Sequence, residues 1–150
     1  RSLALLDTAL RRRFDFVELM PDPGRLAGRM VAGVQLDSLL RAMNERIEVL
    51  YDRDHTIGHA YFLGVTTMED LDAVFRRRVL PLLQEYFFEN WSKVRRVLRD
   101  VGDGDFIKKT IRAPLPVDGE DGQGEEPSTV FSVNPASFPV QAYLRIYEGG

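Results

Sequence analysis

Thr67-Met68-Glu69-Asp70-Leu71-Asp72-Ala73-Val74-Phe75-Arg76-Arg77-Arg78-Val79-Leu80-Pro81-Leu82-Leu83-Gln84-Glu85-Tyr86-Phe87 opens on a threonine followed three residues later by an aspartate. In that pattern each side chain caps the other residue's backbone N–H at a helix start. Behind the box, Leu71, Val74, Phe75, Val79, Leu82, Leu83, Tyr86 and Phe87 recur at helical spacing, so an amphipathic helix is expected. Pro81 must kink or split it, because proline lacks an N–H and its ring meets the carbonyl four residues back. Upstream, Leu36, Leu39, Leu40, Met43, Ile47, Leu50 and Tyr51 predict a helix over 36–51. Downstream, Trp91, Val94, Val97, Leu98 and Val101 predict another over 91–101, with Gly102 as its C-terminal cap. Three or four helices therefore make the core.

The remaining segments differ in character. Residues 24–33 hold three glycines and are expected to have little order, as a hinge or mobile loop. Residues 106–111 and 129–133 read as two short strands able to pair as a hairpin. Between them, Asp118-Gly119-Glu120-Asp121-Gly122-Gln123-Gly124-Glu125-Glu126 has no apolar anchor and reads as a mobile, solvated tip. Residues 140–147 fit either period, and a terminal helix is the expectation. At the other end, residues 1–10 read as a short apolar helix running into Arg11-Arg12-Arg13, then a strand over 14–20 closed by Pro21-Asp22-Pro23. A domain boundary is expected at these prolines.

A chain of 150 residues fits one ordinary domain, and 44% hydrophobic content with 10% aromatic content says globular. No run approaches the roughly 20 apolar residues needed to span a bilayer. Zero cysteines remove disulfides, thiolate metal sites and cysteine nucleophiles, and fit a reducing compartment such as the cytoplasm. With two histidines, His55 and His59, a metal site is not expected. The net charge of −3 gives no global attraction to nucleic acid, although all but three of the 20 basic residues are arginine. Arg76-Arg77-Arg78 and Arg95-Arg96 read as solvated helix faces, with contact to DNA phosphates as the alternative. The chain opens on Arg1 in the middle of a pattern, so a piece of a longer protein is expected.

Arg11, Arg12 and Arg13 admit two readings. Cations in a helix's last turn are favourable against its dipole by roughly 0.3–1 kcal/mol each, with no function implied. Arginine also presents a permanently charged fork that matches phosphate oxygens. Adjacent helical residues point about 100° apart, so at most two of the three share a role. In the loop Tyr51-Asp52-Arg53-Asp54-His55-Thr56-Ile57-Gly58-His59-Ala60-Tyr61-Phe62-Leu63, the histidines stand four residues apart, but Gly58 argues against one continuous helix. His55, His59 and Asp54 there either hydrogen-bond the loop to its own backbone or face a nucleotide.

Three segments in this order, Arg1-Ser2 with Leu5-Leu6-Asp7-Thr8-Ala9-Leu10-Arg11-Arg12-Arg13-Phe14, then Asp52-Arg53-Asp54-His55-Thr56-Ile57-Gly58-His59-Ala60-Tyr61-Phe62, then Leu80-Pro81-Leu82-Leu83-Gln84-Glu85-Tyr86-Phe87, resemble the C-terminal part of McrB, the GTP-hydrolysing AAA+ subunit of modification-dependent restriction systems. The resemblance covers roughly residues 1–100 and fades beyond. The arginine segment is shared with much of the AAA+ class, whereas the other two strings are more specific. It implies a mainly α (α+β) architecture: the last helix and strand of an AAA+ α/β core over 1–20, then a C-terminal helical lid domain over 21–150 with a small β-hairpin and terminal helix.

The same resemblance implies a hexameric ring motor with GTP and magnesium between subunits, a nuclease partner of the McrC type, and DNA read by other parts of the protein. Arg12 and Arg13 match the positions that act in trans as arginine fingers. Asp54, His55, Gly58 and His59 match the lid loop where AAA+ proteins carry sensor 2, and histidine at 59 departs from the usual arginine. The sequence holds no P-loop and no acidic Walker B pair, so alone it is expected neither to hold GTP tightly nor to hydrolyse it. The alternatives are a fragment of a MoxR-type AAA+ ATPase, or a helical protein-interaction module without a nucleotide role. The second would expose Tyr86, Phe87, Phe88 and Trp91.

Overall fold

The computed structural model describes residues 23–114 and 126–149. The expected N-terminal helix, the arginine triplet, the strand over 14–20 and nearly all of the acidic loop lie outside those residues. Among the described residues the chain builds five α-helices and two antiparallel strand pairs, a mainly helical domain with small hairpins.

Residues 24–33 are better ordered than their glycines suggest. A 3-10 turn at Pro23–Leu26 buries Leu26 completely, and Met30–Val31 (β1) pairs antiparallel with Val34–Gln35 (β2). The two residues between these strands, Ala32 and Gly33, have φ of 49° and 85°. Positive φ at both central positions is the turn whose twist matches a hairpin, so the glycine closes a ladder here and does not loosen the chain. The first long helix, α1, spans Leu36–Leu50 and buries Leu36, Leu39, Leu40, Met43 and Ile47, the expected apolar stripe.

The opening stretch folds as Met68–Val74 (α2), a π-helical turn Phe75–Val79 and Leu80–Tyr86 (α3). Its capping box is formed, with Thr67 Oγ1 accepting the Asp70 N–H at 3.1 Å and the Asp70 carboxylate accepting the Thr67 N–H at 3.2 Å. Asp70 also accepts from the Thr66 N–H and hydroxyl, and these bonds hold its carboxyl below the ordinary range. Pro81 does not split the helix; the helix widens before it, the Leu80 N–H reaching back to the Phe75 carbonyl, five residues away. A π turn just before a proline gives room to the carbonyl that the ring would otherwise strike. The extra residue leaves both Val79 and Leu80 buried.

Trp91–Leu98 (α4) starts at Asn90, whose side chain accepts the Lys93 N–H. It ends three residues earlier than expected, since Arg99 and not Gly102 takes the left-handed cap, at φ 50°. The reason is Asp100, whose buried carboxylate accepts the backbone N–H groups of Asp105, Phe106 and Ile107 at 2.6, 3.0 and 2.7 Å. That knot turns the chain into Ile107–Arg112 (β3), which pairs with Ser128–Val133 (β4) from Ile107 opposite Val133 to Arg112 opposite Ser128. The expected hairpin is present. Val140–Tyr147 (α5) is the expected terminal helix.

One hydrophobic core joins all of this. Phe75, Phe106, Phe138 and Tyr143 form an aromatic nucleus, with Phe75 and Phe106 stacked at 5.3 Å and Tyr143 edge-on to Phe75 at 4.9 Å. Around it, α2 and the π turn fasten the C-terminal segment. Asp72 accepts the Tyr143 hydroxyl and the Phe138 N–H, while Arg76 donates to the carbonyls of Asn134 and Ala136 at 2.7 and 2.8 Å and lies over the Phe138 ring. On α1, Arg46 donates to the carbonyls of Val97 and Ile146. Burial and the neighbouring Arg99 lower its pKa.

Two outcomes follow from these contacts. A Cβ at Gly104, where φ is +87°, would stand 1.9 Å from the Ile107 carbonyl oxygen. Gly104→Ala is therefore expected to cost at least about 1–3 kcal/mol in urea unfolding. Burial and then Asp72 push the Tyr143 hydroxyl above its ordinary pKa of 10.0. The folded state thus keeps this proton where the unfolded chain gives it up. Stability from this group is complete below pH 10 and falls above it, by up to about 1.4 kcal/mol per pH unit. Denaturant titrations between pH 9 and 11 are expected to show that slope, and Tyr143→Phe is expected to flatten it.

Candidate functional site

The loop after α1 descends from Tyr51 into a 3-10 turn at Arg53–His55, runs extended through Thr56 and Gly58, and enters a second 3-10 turn at His59–Phe62. Two separate turns carry the two histidines, so they do not share a helical face. Gly58 is the cap of the second turn at φ −75°, ordinary extended backbone, and nothing crowds the place of its missing Cβ. It needs no glycine for its conformation.

Two contacts fix this loop. Asp52 caps the first turn, its Oδ1 accepting the His55 N–H at 2.9 Å and meeting His55 Nδ1 at 2.5 Å. From α1, the buried Asn44 amide grips Ile57 from both sides, donating to its carbonyl at 2.9 Å and accepting its N–H at 2.6 Å. Ile57 is itself fully buried, so without Asn44 its two backbone groups would be left unpaired in the core.

The result is a partly exposed aromatic corner. Tyr51, 37% exposed, meets His55 edge-on at 4.3 Å, stacks against Tyr86 at 6.0 Å and touches Phe87 at 5.8 Å. His55 in turn meets Tyr86 at 5.0 Å. The loop string 52–62 and the helix string 80–87, separate in sequence, thus form one surface. Its ring faces can stack on a flat heterocycle, and the carboxylates of Asp52 and Asp54 can accept N–H groups.

Sequence reasoning gave the loop-tying carboxylate to Asp54, whereas Asp52 performs that task and Asp54 is exposed on the same turn. His59 is half-buried at the head of the second turn. Arg12 and Arg13 lie outside the described residues. Of the four aromatics that an interaction module would expose, Phe87 is buried, Tyr86 and Trp91 are half-buried, and Phe88 alone is open. Arg76 and Arg95 are half-buried and bonded to backbone carbonyls, Arg95 donating to Gly102 and lying 5.9 Å from the Phe131 ring, while Arg77, Arg78 and Arg96 stay exposed. Sequence reasoning passed over Asn44 and Tyr51 as site residues. Asn44 was detectable as a lone amide on the apolar stripe of α1, between Met43 and Ile47. No helix among the described residues is long and apolar enough to cross a membrane.

A helical domain with a capped loop and an aromatic corner, closed by a C-terminal hairpin and helix, has the architecture of an alpha-helical lid. Residues 35–95 match the family model described as McrB, alpha-helical lid domain. The chain is also 32% identical over 114 residues to the type IV methyl-directed restriction enzyme EcoKMcrB subunit of Escherichia coli (strain K12). That alignment covers 64% of this chain and 25% of the relative, so the chain spans about a quarter of the relative's length. Together these findings support an McrB-type C-terminal part, with residues 35–95 as its lid.

Asn44→Ala is expected to lower stability by roughly 2–4 kcal/mol, since two buried backbone groups lose their partners. Amide hydrogen exchange is the more pointed measurement: residues 52–59 should lose protection well beyond the global loss.

Proposed function

We propose that this chain is the lid and C-terminal part of an AAA+ GTPase motor subunit of a 5-methylcytosine-specific restriction endonuclease in the cytoplasm. In this reading the lid closes over GTP bound at the boundary of two subunits in a ring, a hexamer, that works with an McrC-type nuclease and reaches DNA through other parts of the longer protein. The observation that carries it is the convergence of the two McrB-like strings on one corner, where Asn44 and Asp52 tie the His55 loop to the first helix and to its own backbone. Preorganisation of that kind suits a loop that must meet a ligand without rearranging.

His55, Gly58, His59 and Asp54 are the lid's nucleotide-facing residues in this reading. The Tyr51 and Tyr86 rings offer a flat apolar wall, and His55, already oriented by Asp52, keeps a partly exposed ring toward the ligand. In this reading the phosphate cradle and metal ligands are supplied by other parts of the longer protein.

Arg12 and Arg13 supply charge in trans to the phosphates bound by the neighbouring subunit. A group acting on the transition state changes turnover far more than binding, and arginine fingers are worth roughly 10³–10⁵ in rate. In the full-length protein, Arg12→Ala or Arg13→Ala is expected to leave GTP affinity nearly intact while steady-state hydrolysis falls at least about tenfold. Unchanged turnover in both variants overturns the finger assignment.

A further inference from the structure

Asp52 does more than cap a turn, because it decides which nitrogen of His55 is left for a ligand. Its Oδ1 accepts the His55 backbone N–H at 2.9 Å and lies 2.5 Å from His55 Nδ1. The second contact is a hydrogen bond only with the proton on Nδ1, since an ionised carboxylate accepts and never donates. A half-turn of the ring about its Cβ–Cγ bond would set a C–H against Asp52 and lose that bond.

Nε2 is then the remaining polar atom of the ring. Among the described residues nothing hydrogen-bonds it, and the His55 side chain is 34% exposed. A neutral imidazole has one N–H, and here Asp52 takes it, so Nε2 carries a lone pair and can only accept. A nucleotide offers two kinds of group to such an atom. Its phosphate oxygens are acceptors, as Nε2 is, whereas its ribose hydroxyls and base N–H groups donate. The surroundings favour the second kind. Asp52 and Asp54 against Arg53 make the turn net negative, which repels phosphate, and the neighbouring Tyr51 and Tyr86 rings are uncharged.

We propose that His55 meets the nucleotide through Nε2 as a hydrogen-bond acceptor, taking an O–H or N–H of the nucleoside and not a phosphate oxygen, with Asp52 as the positioning residue that fixes the tautomer. This rests on the nucleotide-facing reading of the loop and adds to it which end of the nucleotide the loop reads.

Two measurements on the full-length protein test it. The first is heteronuclear NMR of histidine-labelled protein at about pH 8, where imidazole is ordinarily neutral, with His55 assigned by the signal that His55→Gln removes. The free protein is expected to show Nδ1 protonated and Nε2 bare, and Asp52→Ala to move the proton toward Nε2. A non-hydrolysable GTP analogue should shift the Nε2 signal as a hydrogen bond to its lone pair does, and tripolyphosphate should leave it in place. A proton on Nε2 in the free protein, or a doubly protonated His55 in the complex, overturns the proposal.

The second is binding. His55→Ala is expected to weaken GTP about fivefold, the worth of one hydrogen bond, while tripolyphosphate affinity stays within about twofold. Asp52→Ala should weaken GTP to a similar degree, and the double variant should lose no more than His55→Ala alone, because the two residues act as one unit. The analogues 2′-deoxy-GTP, 3′-deoxy-GTP, inosine triphosphate and 1-methyl-GTP each lack one donor. The analogue without the donor that Nε2 takes should bind the unsubstituted protein about fivefold more weakly than GTP does, a penalty that His55→Ala abolishes. Equal losses for GTP and tripolyphosphate overturn the proposal, and so does a protein that binds all four analogues as it binds GTP. If His55→Ala has no effect but Tyr51→Ala weakens GTP, the lid still faces nucleotide and this assignment alone falls. If neither has an effect, the nucleotide-facing reading falls with it.

Discussion

The buried peptide of Ile57 is the constraint on which the candidate site depends. A loop that dips an isoleucine into the core takes its N–H and carbonyl with it, and neither group has a strand or helix to satisfy it there. Asn44 resolves this because an amide donates and accepts in a single plane on adjacent atoms, and it meets both groups at once. Leu would fit the apolar stripe of α1 and leave both groups unpaired. Everything exposed on the loop inherits its position from this contact: Asp52 and His55 on one side of Ile57, Gly58 and His59 on the other.

A second constraint links that corner to the far end of the domain. The Met68–Val74 helix, the π turn and the Leu80–Tyr86 helix run without a break, so the residues that grip the C-terminal segment and those that form the aromatic corner lie on one body. Asp72 and Arg76 sit one turn apart and hold Phe138, Tyr143 and the carbonyls of Asn134 and Ala136. Tyr86 sits at the other end against His55 and Tyr51. One continuous helical body thus carries both sets of contacts.

What was legible in the sequence divides by the range of the chemistry. The Thr67–Asp70 box closes within four residues, so its residue types are enough to place it. The apolar stripe of α1 and the hairpin of β3 and β4 are periodic and likewise readable. The end of α4 was not, because Gly102 is the better local cap and is overruled by Asp100, whose carboxylate gathers N–H groups five to seven residues on. The Ala32-Gly33 hairpin was missed for a related reason: Leu26 and Val34, fully buried, supply order that a glycine count does not register. In the site, residue types marked the His55 loop, but choosing Asp52 over Asp54 required knowing where the 3-10 turn begins, and a two-residue shift exchanges the cap for an exposed charge.

The family match ends at residue 95, yet the domain does not. Residues beyond it supply Phe106, Phe138, Ala142, Tyr143 and Ile146 to the same core that holds Leu40, Met43 and Phe75. Tyr147 accepts the Gln35 N–H at 2.9 Å, and Arg46 donates to Ile146, so α5 is tied to β2 and to the first helix. Removing residues 101–149 would uncover the aromatic nucleus and leave Asp72 and Arg76 without their partners. The C-terminal hairpin and helix thus share one hydrophobic core with residues 35–95.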